Sequence, residues 1–132
     1  LISRANSQGD VVLLPHIGAS TKQAEENCAV MAVNQIKEFL QTGNIKNSVN
    51  FPDVHLMRTT QYRISITNRN VPAMIGQITT ALGELNLNIA EMTNVSKGEI
   101  AYNLIDIENR VDEESLNSLR KIENVINVRL IS

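Results

Sequence analysis

The chain's 132 residues, 42% of them apolar, allow one domain with an appendage, and a net charge of −2 excludes the basic patch that nucleic acid or an anionic membrane would call for. Two Phe, two Tyr and no Trp leave the core to Ile, Val, Leu and Met. One cysteine rules out an internal disulfide and fits a reducing, cytoplasmic setting, and no apolar run approaches the roughly 20 residues of a membrane span.

Leu1-Ile2-Ser3-Arg4 has neither a signal-peptide pattern nor an initiator Met, so a piece of a longer protein is expected. Val11-Val12-Leu13-Leu14, bounded by Gly9 and Pro15, reads as a buried strand of the parallel-sheet kind. The loop from Pro15 leads into a helix over 21–41. Ser20 with Gln23 fits a capping box, Glu25 and Glu26 suit the first turns, and Thr42-Gly43 is a stop signal. Within the helix, Cys28-Ala29-Val30-Met31-Ala32-Val33 is apolar nearly all round, which predicts burial against a host domain or a second subunit. Cys28 is expected there as a core thiol rather than a nucleophile or ligand. Residues 44–60 show no period and read as a linker. His16, Cys28 and His55 have no metal-ligand spacing, so no metal site is expected.

From Tyr62 the pattern is regular. Tyr62, Ile64 and Ile66 alternate with Arg63, Ser65 and Thr67, as in a half-buried strand. A polar loop with Asn68 and Asn70 follows, and Pro72 sits where its fixed φ suits a helix start. Such a loop can hold a small zwitterion, because side-chain amides meet free N–H groups there, or it can be a plain strand-to-helix turn. The helix carries Ile75, Ile78, Leu82 and Leu85 on one stripe, and Gly76 and Gly83 suggest close packing. A second strand over 87–95 puts Leu87, Ile89, Thr93 and Val95 on one face. Ser96-Lys97-Gly98 turns into a third strand over 99–108. Asp112 can cap the next helix, with Leu116, Leu119 and Ile122 inward. The last strand sets Ile126, Val128 and Leu130 against Asn127 and Arg129. The order β-α-β-β-α-β predicts an α+β, ferredoxin-like unit over 61–132, with both helices on one face of an antiparallel sheet. The other face and both edges are expected to stay open, which favours association.

His16 follows a buried strand and precedes a helix, where open α/β sheets place their ligand crevice. Gly18 allows close approach, so His16 is placed for acid–base work, or it is a loop His satisfied by backbone. No Gly-rich dinucleotide loop and no carboxylate or Arg partner accompany it, so this chain alone is not expected to be a working enzyme.

Leu14-Pro15-His16-Ile17-Gly18-Ala19-Ser20-Thr21, Ala24-Glu25-Glu26-Asn27 and Val49-Asn50-Phe51-Pro52-Asp53-Val54 resemble the end of the catalytic core of the D-2-hydroxyacid dehydrogenases, and 62–131 resembles an ACT regulatory domain. That order of pieces is similar to the phosphoglycerate dehydrogenase family. The resemblance implies that residues 1–43 are a remnant of an α/β dehydrogenase core. It implies a longer parent that oxidises 3-phosphoglycerate to 3-phosphohydroxypyruvate with NAD, in serine biosynthesis. His16 matches the family's proton donor and acceptor, and His16, Ile17, Gly18 and Ala19 match the segment lining the nicotinamide. The fragment itself is not expected to bind NAD. Asn68, Asn70 and Asn88 fall where some members bind L-serine across a homodimer interface, and Asn88 is expected to return near the loop. Ala73 stands where the family usually has a glycine, which would admit φ > 0 and a closer ligand. The alternative is a ligand-free assembly module.

Overall fold

The computed structural model describes residues 21–132. The expected strand at 11–14 and the segment His16–Ala19 lie outside them. The chain divides into two compact units, Leu1–Asn34 and Gln35–Ser132.

Helix α1 runs Lys22–Thr42, within a residue of expectation. Its first turn is capped by the Thr21 hydroxyl, which accepts from the Ala24 N–H at 3.1 Å. It buries no residue, and Val30, Met31, Val33, Ile36 and Leu40 are all more than half exposed. Cys28 is exposed, and the burial expected for it was against a host domain or a second subunit.

The helix stops at Gly43, whose N–H donates to Phe39 O at 2.8 Å and whose φ of +75° lies in the left-handed region. A Cβ at Gly43 would also sit 2.7 Å from Ile131 Cδ1 and Leu104 Cδ2. Gly43→Ala is thus expected to cost about 2–3 kcal/mol, strain and overpacking together, read as a lower urea midpoint.

Four antiparallel strands form one sheet in the order β2-β3-β1-β4: β1 (Tyr62–Arg69), β2 (Ile89–Lys97), β3 (Ile100–Ile107) and β4 (Val125–Ile131). Helices α2 (Met74–Glu84) and α3 (Glu113–Arg120) connect them, so the β-α-β-β-α-β unit is as expected. Ile64, Ile66, Ile105, Ile107 and Val128 pack under Met74, Ile78 and Leu82 of α2 and Leu116 and Leu119 of α3. Asp112 caps α3, its carboxylate accepting from Ser115 N–H at 2.8 Å.

Two expectations about faces are corrected. First, β2 does not keep one apolar face. Ile89 pairs with Ile107 but Glu91 pairs with Asp106, so Ala90 is an extra, bulged residue. Past it the alternation inverts: Met92 joins the core beneath the helices, while Val95 packs on the opposite side of the sheet. Second, that opposite side is covered. Residues 44–60 are not a free linker but lie against it. Ile45 and Val54 form an antiparallel bridge, and both pack with Leu56, Tyr102 and Leu104, flanked by Phe39 and Phe51. Phe51 meets the Tyr102 ring edge to face at 6.1 Å. The polar face of β1 is buried in consequence: Arg63, Ser65 and Thr67 are 0%, 5% and 7% exposed.

Arg63 tolerates this because its Nε and Nη2 fork onto Asp106 at 2.6 and 3.0 Å. Its Nη1 donates to Thr42 O at 2.8 Å. The Tyr102 hydroxyl donates to Gly43 O at 2.7 Å, and Arg129 Nη2 donates to Phe39 O at 2.6 Å from above the Phe39 ring. Two arginines and a tyrosine thus satisfy carbonyls at the negative end of α1. Burial pushes the Tyr102 phenol above its ordinary value, with Ser65 and Arg129 opposing in part.

Candidate functional site

The end of β1 and the loop after it are held on every side. Arg69 N–H donates to Asn124 O at 2.9 Å, and Val71 N–H donates to Arg69 O at 2.9 Å. Asn70 is fixed twice to the β2–β3 hairpin, by its N–H on Glu99 O at 2.8 Å and its Nδ2 on Gly98 O at 3.1 Å. That leaves Asn70 Oδ1 as an acceptor and the Arg69 side chain exposed. Pro72 precedes Ala73, the N-cap of α2, which provides no side-chain cap. The N–H groups of the first turn therefore point outward without a capping partner from that residue.

Ala73 has φ 68° and ψ 8°, a left-handed conformation. The chain keeps the geometry a glycine would give but pays in Cβ strain, which costs about 1 kcal/mol or more. Ala73→Gly is expected to raise stability by about 1 kcal/mol, measured by urea unfolding.

Of the three asparagines expected at an effector site, the structure brings two to this loop and separates the third. Asn68 is the last but one residue of β1 and is only 1% exposed. Its Oδ1 accepts from Asn103 Nδ2 at 2.7 Å and its Nδ2 donates to Arg69 O at 2.7 Å. It supports the loop and presents nothing to solvent. Asn70 is exposed and directly on the loop.

Asn88 is not near them within one chain. Its N–H donates to Asn109 Oδ1 at 2.7 Å and its Nδ2 to the Glu108 carboxylate, at the far end of the sheet. The reason is the crossover. β1-α2-β2 returns the chain so that β1 and β2 run parallel on either side of β3, and Tyr62 and Ile89 both pair with Ile107. Asn88 thus stands beside the start of β1, and the nine residues of β2 put it roughly 30 Å from the hairpin that holds Asn70.

A shallow groove of about 460 Å³ runs along α2 from Ala73 past Gly76, Gln77, Thr80 and Ala81 to Glu84, with Ile122 opposite. A Cβ at Gly76 or Gly83 would meet nothing within 4 Å, so neither glycine serves close packing among the described residues. Among those residues, too, no cluster of His, Cys, Asp or Glu could hold a metal ion and no helix is long and apolar enough to cross a membrane. His55 is exposed, with Asn44 Nδ2 3.2 Å from its Nδ1.

Sequence reasoning missed Asn103 and Asn94, which join Asn68 in one row across the sheet. The signal was present: Asn103 interrupts the apolar run of β3, on the face shared with Ile105 and Ile107.

No protein-family model matches the chain. Among curated proteins it is 30% identical over 131 residues to D-3-phosphoglycerate dehydrogenase of Haemophilus influenzae, covering 98% of this chain and 32% of that protein. The Escherichia coli K12 enzyme of the same name is 30% identical over 124 residues, 92% of this chain and 30% of its own length. A putative D-3-phosphoglycerate dehydrogenase of Schizosaccharomyces pombe is 32% identical over 131 residues, 92% of this chain and 28% of its own. The chain thus spans about a third of the length of the curated relatives it matches. Among solved structures, the ACT domain of a GTP pyrophosphokinase from Chlorobium tepidum aligns with TM-score 0.45 and 25% identity, over 52% of this chain and 94% of that one. The regulatory subunit of Thermus thermophilus aspartate kinase aligns with TM-score 0.47 and 13% identity, over 61% and 55%. The chain is similar to the D-3-phosphoglycerate dehydrogenases along nearly its whole length, consistent with a C-terminal fragment of one, and it carries a ferredoxin-like βαββαβ unit.

Proposed function

We propose that Gln35–Ser132 is the regulatory ACT module of a phosphoglycerate dehydrogenase and binds a small amino-acid effector, L-serine foremost, at a homodimer interface. The observation that carries this is the placement of Asn70 and Asn88 at opposite ends of the same exposed edge strand, β2. Two β2 strands paired antiparallel about a twofold axis set the start of one beside the end of the other. Asn88 of the partner subunit then faces the loop that carries Asn70. Each site draws on both chains, and a monomer has none.

The choice of edge has support in the hydrogen bonds. At the other edge, Val128 O of β4 accepts from Arg120 Nη2 at 3.3 Å. Side chains that occupy edge carbonyls discourage strand pairing. Among the described residues no side chain does this for β2. A zwitterion at the site would place its carboxylate toward the first-turn N–H groups of α2 and its ammonium toward Asn70 Oδ1.

In this reading the parent enzyme oxidises 3-phosphoglycerate to 3-phosphohydroxypyruvate with NAD, in the cytoplasm. His16 would act as its acid–base residue, and His16, Ile17, Gly18 and Ala19 would line the nicotinamide. The present chain alone would neither bind NAD nor turn over. The apolar residues that α1 leaves exposed fit a helix that docks on the rest of such a parent.

Calorimetry with L-serine and a panel of amino acids tests the effector, at concentrations that hold the dimer. Heat is expected from at least one of them, and Asn70→Ala is expected to weaken it by about tenfold or more. No heat from any would overturn effector binding. A second reading, a ligand-free assembly module, is favoured by the Ala73 methyl and by the commitment of Asn68 to the sheet. Its signature is a dimer whose sedimentation is indifferent to amino acids.

A further inference from the structure

Three carboxamides cross the sheet beneath the helices, and two of them have no assigned role. Asn103, wholly buried in mid β3, donates from Nδ2 to Ile66 O at 3.1 Å and to Asn68 Oδ1 at 2.7 Å. Its Oδ1 accepts from Nδ2 of Asn94, an exposed residue on edge strand β2. Asn68 Nδ2 then donates to Arg69 O. The row runs from the open edge of the sheet to the loop.

Its polarity is locked at both ends. Ile66 O and Arg69 O are backbone carbonyls, which only accept, so the amide facing each must present nitrogen. Nitrogen of Asn103 toward Ile66 leaves its oxygen for Asn94. Nitrogen of Asn68 toward Arg69 leaves its oxygen for Asn103. Flipping any member sets like groups face to face and strands buried polar atoms, which costs more than the bonds contribute. The three amides therefore act as a unit. A row of apolar side chains would fill the same space without any such demand.

We infer that Asn103 and Asn94 are positioning residues for the effector loop, acting through Asn68. This rests on the effector reading above. Arg69 O takes both the last bond of the row and the Val71 N–H, so the row sets the Arg69–Asn70 peptide plane. That plane aims Asn70. The outer end of the row lies on β2, the strand proposed to pair with a second copy, so subunit pairing and loop order act on one element.

The test uses the 15N-labelled full chain. Asn94→Ala removes the outer donor from an exposed position and leaves the core intact. Asn103→Leu removes the buried amide at similar volume. In both, the side-chain amide signals of Asn68 are expected to shift, and the Val71 amide to exchange about tenfold faster while those of Ile64 and Ile105 hold. Unchanged Asn68 signals, or faster exchange across the whole sheet, would overturn the positioning role. Both variants are expected to raise the Kd for the bound amino acid about tenfold, read at protein concentrations that hold the dimer. Heat from the wild type with equal affinity in both variants overturns the row alone. No heat from the wild type overturns the effector reading itself, and the Asn68 signals still decide whether the row orders the loop.

Discussion

Asp106→Ala is expected to lower the stability of the folded chain by about 3–5 kcal/mol. Both Asp106 and Arg63 have side chains 0% exposed, and Arg63 is on the central strand β1. Removing the carboxylate leaves a buried guanidinium with one remaining bond, to Thr42 O. The Thr59 N–H and hydroxyl, both 3.2 Å from Asp106 Oδ2, lose their acceptor as well. The pair itself contributes little, since its attraction repays the desolvation of both ions. The double variant Arg63→Met with Asp106→Leu is therefore expected to regain most of the loss, within about 1–2 kcal/mol of wild type. Urea midpoints of the three proteins at pH 7 separate these outcomes.

The same carboxyl gives a pH signature. Burial alone would raise its pKa, but hydrogen bonds from Arg63 and Thr59 outweigh burial and hold it below the usual carboxylate range. A folded value below the unfolded one stabilises the fold above the unfolded value of about 3.9, and that contribution is lost as pH falls through the folded value. Wild type is expected to lose stability on acidification below about pH 4, and Asp106→Asn to lack that part of the loss.

Leu104→Ala is expected to cost about 2–5 kcal/mol. Leu104 is wholly buried on the sheet face away from the two helices, with Tyr102, Ile45, Val54 and Leu56. An unoccupied sheet face would make this substitution nearly neutral. Its cost measures how firmly residues 44–60 and the last turn of α1 belong to the domain. Hydrogen exchange in the variant is expected to show faster exchange at Ile45 and Val54, whose amides bond each other's carbonyls at 2.9 Å.

The order of elements was legible because each strand and helix carries its own period, as in Tyr62-Ile64-Ile66 and Ile78-Leu82. The covered face was not, although Pro52, Val54 and Leu56 alternate buried with exposed Asp53, His55 and Met57. That run is short, and alternation states only that a segment packs, not on what. Arg63 misled for a related reason: a charge on a strand reads as solvent-facing unless its partner, 43 residues away, is known. The bulge at Ala90 has no glycine to mark it. At the candidate site, the strand-to-helix loop was legible from Asn68 to Pro72, whereas the positive φ of Ala73 was not, since an alanine carries no mark of it. The position of Asn88 was not, because it depends on crossover geometry rather than on proximity along the chain.

The two-chain site can be tested with two weakened variants. Asn70→Ala and Asn88→Ala homodimers are each expected to show no sites of wild-type affinity for the amino acid that the wild type binds, only sites weakened by about tenfold or more. Mixed in equal amounts and allowed to exchange subunits, half the dimers become hybrids in which one site carries both substitutions and the other carries none. Calorimetry of the mixture is then expected to recover about a quarter of the wild-type sites at wild-type affinity. No recovered binding, from dimers shown to have exchanged, would contradict a site built from Asn70 of one chain and Asn88 of the partner subunit.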